Sequence, residues 1–259
     1  MSFFVNNKEL KKINFNGNRV YSVYYNNNLV WEEPTQFDTV GWDYLYNICK
    51  ARQADPTFEW PSYIQLGAVK DVYYADTNTF AFKVRLIDIE TEGPGILVFQ
   101  AIWGYGNPPE GSWPGYYYGD IPTHEKSWDF SITPYVKPLV KRTADVDNIG
   151  DNGLLEVKSE ECRYWHLSNC EVGEESIHYI DTSGYGYLAD YEYTEGISEP
   201  YPYMTNPENR KSCTSDGTAV RYHLRSHTRL YGPYYVKVDG EVDFYTYQRS
   251  ENLYCFAIG

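Results

Sequence analysis

The carboxy-terminal part of the chain, residues 221–259, places the strongest constraint on the fold. Two short apolar segments, 234–238 and 253–258, have the length and side-chain types of strands. Before and between them the sequence is dense in Tyr, His, Arg, Asp and Gln. Rigid amphipathic rings combined with adaptable polar groups are typical of recognition surfaces. This region therefore predicts strands that frame polar aromatic loops, and it favours binding over catalysis.

The length and composition fit one large domain, or one domain with a small appendage, because 259 residues can bury a full core. Tyr supplies 28 positions against 11 Phe, so most aromatic rings carry a hydroxyl group, which suits sheets and recognition faces. The net charge of −14 disfavours nucleic acid as a partner, since phosphate contacts need clustered Lys and Arg.

The sequence predicts neither membrane insertion nor a zinc site. No segment approaches the ~18 consecutive apolar residues of a membrane span. Residues 1–9 lack the basic and apolar regions of a secretory signal, which predicts synthesis in a cytoplasm without excluding later release by lysis. The five cysteines have no zinc-type spacing. Two interpretations stay open: reduced, buried thiols, or one disulfide between Cys162 and Cys170.

Residues 13–31 predict a β-hairpin. Asn16-Gly17 is a type I′ turn signal, and the Asn run at 26–28 suits a second turn. This block is similar to small modules at the ends of phage structural proteins. The similarity implies an N-terminal β module over residues 1–36, suited to virion attachment. The alternative is that these residues form an edge hairpin of the main domain.

The remaining periodicity predicts an α+β class with few helices and many short strands. Apolar spacing of three and four predicts helices over 39–51, with Thr39 as N-cap, and over 128–140, with Pro134 near its first turn and Pro138 as a kink or stop. Segments 60–66, 68–74, 80–90, 96–103, 154–157 and 163–167 predict strands, with 80–90 half-buried and 96–103 central. Segments 104–123 and 181–209 predict long loops.

A set of short motifs follows in a particular order along residues 37–259. They are Trp42-Asp43 with Cys49, Gly67 with Val69, Ala81-Phe-Lys-Val-Arg-Leu-Ile87, Val140-Lys-Arg-Thr143, Tyr164-Trp-His-Leu-Ser168 with Glu171, Tyr222-His-Leu-Arg-Ser226, Val236-Lys-Val-Asp-Gly240 and Cys255-Phe-Ala-Ile258. This order resembles the phage and prophage lectin-like domain of the DUF6273 type. The chain departs from that family at His227, where Pro is usual, and at residues 252–255, where Gly-Val-Arg-Pro is usual, which indicates local repacking.

The resemblance implies a C-type lectin-like fold with two short helices and mixed antiparallel sheets, related to the variable proteins of diversity-generating retroelements. Arg225 and Ser226 match the family's Arg-Ser pair, and we expect them to brace loops. We expect Trp165 and Tyr222 in the core. The implied ligand face comprises His227, Arg229, Tyr231, Tyr234, Asp243, Tyr245, Tyr247, Gln248 and Arg249. The alternative is a solvated loop whose rings pack back onto the domain.

Catalytic and metal sites are not predicted. The copper chemistry of the related formylglycine-generating enzymes needs a cysteine pair, whereas Cys255 stands alone near the end of the chain. The acidic segment 156–175 could offer oxygens to calcium, but a solvated face is the expectation. No metalloprotease, nucleophile-elbow or phosphate-loop motif occurs. We therefore expect no catalytic residue, no metal and no cofactor.

The implied function is that of a bacteriophage receptor-binding protein at a tail tip or tail fibre. The Tyr-rich face would bind a bacterial surface protein or glycan, other tail proteins would be partners in the virion, and a homotrimer would suit a tail tip. A second hypothesis is a structural virion component whose aromatic face contacts a neighbouring subunit. A third, a cell-wall glycan hydrolase, requires two carboxylates about 5 to 10 Å apart.

Overall fold

The computed structural model of the chain describes residues 4–5, 8–9, 13–15, 18–20, 22–25, 28–32, 36–103, 129–149, 155–174, 200–213, 217–228, 232–243 and 253–259. Within these residues the strands pair antiparallel throughout and the helices are few, which confirms the α+β class. The helices are α1 (Trp42–Ala54) and α2 (Pro207–Arg210), with 3-10 turns at Thr133–Tyr135 and Pro202–Thr205.

Eighteen strands are assigned within the described residues. In chain order they are β1 Phe4–Val5, β2 Lys8–Glu9, β3 Ile13–Phe15, β4 Asn18–Val20, β5 Ser22–Tyr25, β6 Asn28–Glu32, β7 Val69–Tyr73, β8 Phe80–Ile89, β9 Leu97–Trp103, β10 Val136–Lys137, β11 Leu139–Ile149, β12 Leu155–Cys162, β13 Ser212–Cys213, β14 Ala219–Val220, β15 Tyr222–Thr228, β16 Gly232–Val236, β17 Val242–Asp243 and β18 Cys255–Ile258.

The amino-terminal strands form successive hairpins. β3 pairs with β4 so that Phe15 lies opposite Asn18, which fits the turn predicted at Asn16-Gly17. β5 pairs with β6, and Tyr25 lies opposite Asn28. The predicted hairpin is therefore two consecutive hairpins, preceded by the pair β1–β2. The boundary at residue 36 stays a prediction.

The first predicted helix is present but begins later than expected. Its N-cap is Gly41 rather than Thr39, whose hydroxyl instead donates to the Gln36 carbonyl at 3.0 Å. Asp43 in the first turn and Arg52 in the last turn suit the helix dipole. The apolar stripe is buried as predicted, from Val40 and Trp42 through Leu45, Ile48 and Cys49.

A five-stranded antiparallel sheet organises the domain, in the order β10-β18-β9-β8-β7. The last strand, β18, lies between β9 and β10, so the end of the chain is tied into the middle of the molecule. Because side chains alternate along a strand, the sheet has two covered faces. One face carries Phe99 and Phe256, and the other carries Val98 and Ala257.

The first face packs against α1 and is almost entirely apolar. The Phe99 ring stacks on Phe256 with centroids 5.3 Å apart, and Trp42 meets Phe99 edge-on at 5.4 Å. The second face packs against large, fully buried side chains from later parts of the chain. These are Trp165, Tyr201 and Tyr222, together with Leu224, Val236 and their neighbours. The expectation that Trp165 and Tyr222 are core residues is confirmed.

Two predicted elements are wrong in type. Residues 128–140 are not helical where described: the 3-10 turn at Thr133–Tyr135 is followed directly by β10 and β11, with Pro138 between them. Residues 60–66 are not a strand, because turns close at Pro61, whose carbonyl accepts from Ile64 N–H at 2.9 Å, and at Gln65.

Other predicted elements differ in extent. β8 is buried on both faces over most of its length instead of alternating, because other parts of the chain cover both faces of the sheet. β12 is longer than predicted, whereas segment 163–167 is not a strand and contains an isolated bridge between Trp165 and Cys255. The loops predicted at 104–123 and 181–199 lie outside the described residues, and residues 200–209 hold the second 3-10 turn and most of α2. The C-type lectin-like topology stays a proposal.

Candidate functional site

The strands that frame the predicted ligand face form a three-stranded antiparallel sheet, β15-β16-β17. Thr228, at the end of β15, lies opposite Gly232, at the start of β16, so the residues between them connect the two strands at that end of the sheet. β17 runs antiparallel to β16, with Asp243 opposite Tyr235. The carboxyl end of β17 therefore points toward the same end of the sheet.

The structure describes only some of the nine predicted ligand residues. His227 lies on β15 opposite Pro233, and Asp243 is a half-buried residue at the end of β17. His227 and Asp243 therefore lie on the two outer strands of the same three-stranded sheet. Six further predicted residues lie outside the described residues: Arg229, Tyr231, Tyr245, Tyr247, Gln248 and Arg249.

Tyr234 does not lie on an exposed face. Its side chain is only 4% exposed and belongs to the core of the second face, together with Val236 and Leu224. The neighbouring Tyr235 is also buried. The prediction of Tyr234 as a ligand contact is therefore corrected: its ring joins β16 to the core, and the alternative that rings pack back onto the domain holds for this residue.

A cluster of buried charged residues lies where the three-stranded sheet meets the core. We call Lys141, Glu171 and Arg225, with the partly buried Glu92, the buried charge cluster. Glu171 is fully buried, and both of its oxygens are occupied. Oε1 accepts from Lys141 Nζ at 2.9 Å, and Oε2 accepts from an Arg225 guanidinium nitrogen. The carboxylate therefore joins β11 to β15.

The Lys141 ammonium is surrounded on several sides. Besides Glu171, it donates to Glu92 and to the Tyr201 hydroxyl, the latter at 3.0 Å. It also lies 4.4 Å from the centroid of the Trp165 ring, a cation–π distance. A lysine that is 2% exposed is thus held by two carboxylates, a phenol and an indole.

The electrostatics of the cluster keep Glu171 ionised. Burial alone would raise the pKa of its carboxyl, but the positive charges of Arg225 and Lys141 outweigh burial and lower the pKa to about 2. Burial, followed by the negative charges of Glu171 and Glu92, raises the pKa of the Tyr201 hydroxyl well above its usual value. The phenol therefore stays protonated and remains a hydrogen-bond donor to the carboxylates.

Arg225 and Ser226 hold β15 against the loop at 165–171. Arg225 N–H donates to the Leu167 carbonyl at 2.8 Å, and its guanidinium donates to the His166 carbonyl at 2.7 Å. Ser226 Oγ accepts from the Asn169 N–H at 2.7 Å. These contacts confirm the interpretation of the Arg-Ser pair as a buried brace for loops.

The same loop supports the residue that leads into β18. The His166 ring stacks on Tyr254, with centroids 4.6 Å apart. Burial, with smaller contributions from the charges of His223 and Arg225, lowers the pKa of His166 to about 3. A neutral imidazole therefore lies under the chain just before it enters the central sheet.

The sequence reasoning missed Glu171 and Lys141. Glu171 lies in the acidic segment expected to form a solvated face, and for this residue that expectation is wrong. A signal was present in the spacing Ser168-x-x-Glu171, which matches a capping box. Ser168 N–H donates to Glu171 Oε2 at 2.9 Å, and Glu171 N–H donates back to Ser168 Oγ at 3.1 Å. The box closes a turn here instead of opening a long helix.

The arrangement suits support more than chemistry. Glu92 and Glu171 converge on one lysine, but Glu171 is fully buried and held by two cations, so it cannot reach a substrate. Among the described residues no group of three or more His, Cys, Asp or Glu side chains could hold a metal ion. None of the five cysteines, all of which lie in the described part of the chain, forms a disulfide, so the bond between Cys162 and Cys170 is not present.

Comparison of the chain with protein-family models, with curated proteins and with solved structures finds no match. The likeness to the phage lectin-like domain therefore stays a resemblance of motif order. No helix in the described part of the chain is long and apolar enough to cross a membrane.

Proposed function

We propose that the protein is a bacteriophage receptor-binding protein whose carboxy-terminal loops bind a bacterial surface protein or glycan. The lectin-like fold, virion location and contacts with other tail proteins belong to the same proposal. The proposed function is tight binding to a receptor. Several copies of the protein on one particle would strengthen this binding, because each contact after the first forms at a high effective concentration.

The observation that carries the proposal is a rigid support, the three-stranded sheet, from which two segments rich in polar and aromatic residues continue. Residues 229–231 and 244–252 both follow strand ends that lie at one end of the three-stranded sheet. Together they contain Tyr231, Tyr245, Tyr247, Arg229 and Arg249. Tyr and Arg are the residues that most often dominate binding interfaces.

The support beneath these segments favours recognition because loops bind best when their ends are fixed. Tyr234 and Tyr235 fix β16 in the core, and Arg225 fixes β15 through Glu171. The other end of segment 244–252 enters β18, whose four residues are all buried. Both ends of the nine-residue segment are therefore anchored, and a segment with fixed ends has less conformational entropy to lose on binding than a free chain of the same length.

The experiment compares attachment to bacterial cells with stability. We expect the double substitution Tyr245→Ala, Tyr247→Ala to abolish binding of the labelled protein to susceptible cells and to change the Tm by no more than about 2 °C, as for surface sites. Tyr74→Ala is a matched control, since Tyr74 is a 41% exposed tyrosine that follows β7 in the five-stranded sheet.

The results that would contradict the proposal are distinct. Unchanged attachment of the double variant would exclude these loops as the receptor contact. A carboxy-terminal face that is buried against a neighbouring subunit in the assembled particle would favour the structural-component hypothesis. Cleavage of purified peptidoglycan or capsule by the protein would favour the hydrolase hypothesis.

A further inference from the structure

The outer strand of the five-stranded sheet, β7, has a free edge along part of its length. Leu86 N–H donates to the Ala68 carbonyl at 2.9 Å, and Val69 lies opposite Arg85. Since hydrogen bonds alternate along an antiparallel pair, the backbone groups of Val69 and Asp71 point away from β8. Among the described residues these backbone groups have no partner across the edge.

Further along the same edge, the backbone from Tyr73 to Ala75 already pairs with another segment of the chain, residues 129–131. Tyr73 N–H donates to Ser131 Oγ at 3.3 Å, and Ser131 N–H donates to the Tyr73 carbonyl at 2.9 Å. Ala75 N–H donates to the Asp129 carbonyl at 2.8 Å. The chain itself thus shows that the alternate backbone groups of this edge face outward and pair with extended backbone.

A cleft of about 490 Å³ lies beside the open part of the edge. Its opposite wall is the segment 38–42, which leads into α1. Lys70 fixes this wall, because its ammonium donates to the carbonyls of Asp38, at 3.0 Å, and Val40, and lies 5.2 Å from the centroid of the Trp42 ring. The cleft therefore has one backbone edge that is open and one wall that is held in place.

The surface around this edge is unusually apolar for this molecule. Six large apolar side chains are exposed among the described residues. Four of them lie on β7, close to its ends in the chain, or on the neighbouring β8: Leu66, Val69, Tyr74 and Phe80. The exposed Asp38 side chain adds a carboxylate to the cleft. The second carboxylate in the cleft, Asp71, is paired with Lys83. Open backbone donors and acceptors, apolar flanks and the Asp38 carboxylate together describe a site for a strand.

We propose that the cleft binds an extended peptide segment of a partner protein, which adds to the sheet at Val69 and Asp71. Apolar side chains of the segment pack against Leu66 and Val69, and a basic side chain pairs with Asp38. The net charge of −14 favours a basic segment in addition to this local carboxylate. This site lies on a different sheet from the three-stranded sheet, and it does not depend on the proposed receptor contact.

A second copy of the chain is a poor occupant of the same edge. Each copy carries a net charge of −14, so two copies repel one another. Ser131 already pairs with Tyr73, which leaves a copy with the short edge at Val69 and Asp71. We therefore infer that the partner is a different protein.

The test uses a synthetic probe, the peptide acetyl-Thr-Val-Lys-Val-Thr-amide, with the full chain labelled with ¹⁵N. We expect saturable binding that shifts the amide signals of Val69 and Asp71 more than those of the central strand β9. The matched control peptide has the same side chains but a methyl group on every backbone nitrogen. It cannot donate backbone hydrogen bonds, and we expect at least tenfold weaker binding.

A pair of substitutions tests the edge from the side of the protein. Val69→Pro removes an outward N–H that takes no part in the β7–β8 pairing, and we expect at least a tenfold increase in Kd. Val69→Thr keeps the N–H and exchanges one methyl group for a hydroxyl, so we expect it to weaken binding much less than Val69→Pro does. Equal binding of the methylated peptide, equal binding of Val69→Pro, absence of saturable binding, or concentration-dependent dimerisation through β7 would each overturn the proposal.

Discussion

On one face of the five-stranded sheet, α1 covers a cluster of stacked aromatic and aliphatic side chains, with Phe99 at its centre. On the other face, the core holds a group of fully or almost fully buried charged residues, among them Lys141, Glu171 and Arg225, beside Trp165. The first face is stabilised by the burial of apolar area, which has no preferred direction. The second depends on a few directed contacts.

The difference shows how the two faces serve different purposes. The free energy needed to remove two charges from water cancels much of the free energy gained from their attraction. A buried charge cluster therefore adds little stability by itself. Its contacts are directional, however, and fix the relative position of β11, β15 and the loop at 165–171. We infer that the apolar face stabilises the domain, whereas the charged face positions the three-stranded sheet.

The largest expected effect comes from Glu171→Gln. The substitution leaves Lys141 and Arg225 buried without their shared carboxylate, and we expect it to lower the free energy of unfolding by about 3–5 kcal/mol. Urea denaturation at neutral pH measures this change. Glu208→Gln is the control, because Glu208 pairs with Lys211 on the surface and its loss should change stability by less than about 0.5 kcal/mol. Equal effects of the two substitutions would contradict a directional role for the cluster.

The apolar face should respond differently to a cavity. Leu45→Ala removes a fully buried side chain of α1, and we expect a loss of about 3 kcal/mol. Because Leu45 lies within a cluster of buried hydrophobic residues, the loss should be nearly the same at pH 7 and pH 5. Denaturation of the variant at both pH values checks this. A loss that varies by more than about 1 kcal/mol would show that the two faces are coupled.

Acid should weaken the charged face first. The pKa of His166 is about 3 in the folded chain against about 6.5 when unfolded, so between these values the unfolded chain binds more protons and stability falls as pH falls. Since His166 is half-buried, we expect a loss of about 1 kcal/mol from pH 7 to pH 5. Below pH 4.5, Glu171 adds to the loss, because its folded pKa is about 2.

A substitution separates these two contributions to the pH dependence. His166→Phe keeps a ring to stack on Tyr254 and removes the titrating group. We expect it to flatten the stability profile between pH 5 and pH 7 and to leave the fall below pH 4.5 in place. A profile unchanged between pH 5 and pH 7 would show that another group titrates there.

The smallest effect should come from the turn that holds Glu171 in place. Ser168→Ala removes the hydroxyl that accepts from Glu171 N–H, and we expect a loss of about 1 kcal/mol. Ser168→Thr keeps the hydroxyl and is the matched comparison. If the alanine variant were as unstable as Glu171→Gln, the turn and not the ion pairs would be the main constraint on this loop.

The apolar face was largely predictable from the sequence. The spacing of Trp42, Leu45 and Ile48 predicted α1, and the short apolar runs predicted β7, β8 and β9, because periodicity reports which side chains are buried. The same reasoning failed at residues 128–140. Apolar residues there fit a helical period, but Pro134 and Pro138 leave room for only a 3-10 turn before the chain becomes extended.

The charged face was not predictable in the same way. Lys141 and Glu171 are 30 residues apart, and each alone is typical of a solvated surface. Their burial depends on partners that only the folded chain brings together. Of the candidate ligand residues, Tyr234 proved to be core, since its position in β16 turns it inward, and six others lie outside the described residues.

The most direct test of whether the charge cluster positions the three-stranded sheet is amide hydrogen exchange. The exchange rate of each residue is compared between Glu171→Gln and the unchanged protein. We expect protection to fall at Arg225 and Tyr235, by a factor of ten or more, under conditions in which Phe99 and Leu45 keep theirs. An equal loss of protection on both faces, or none on either, would contradict the account.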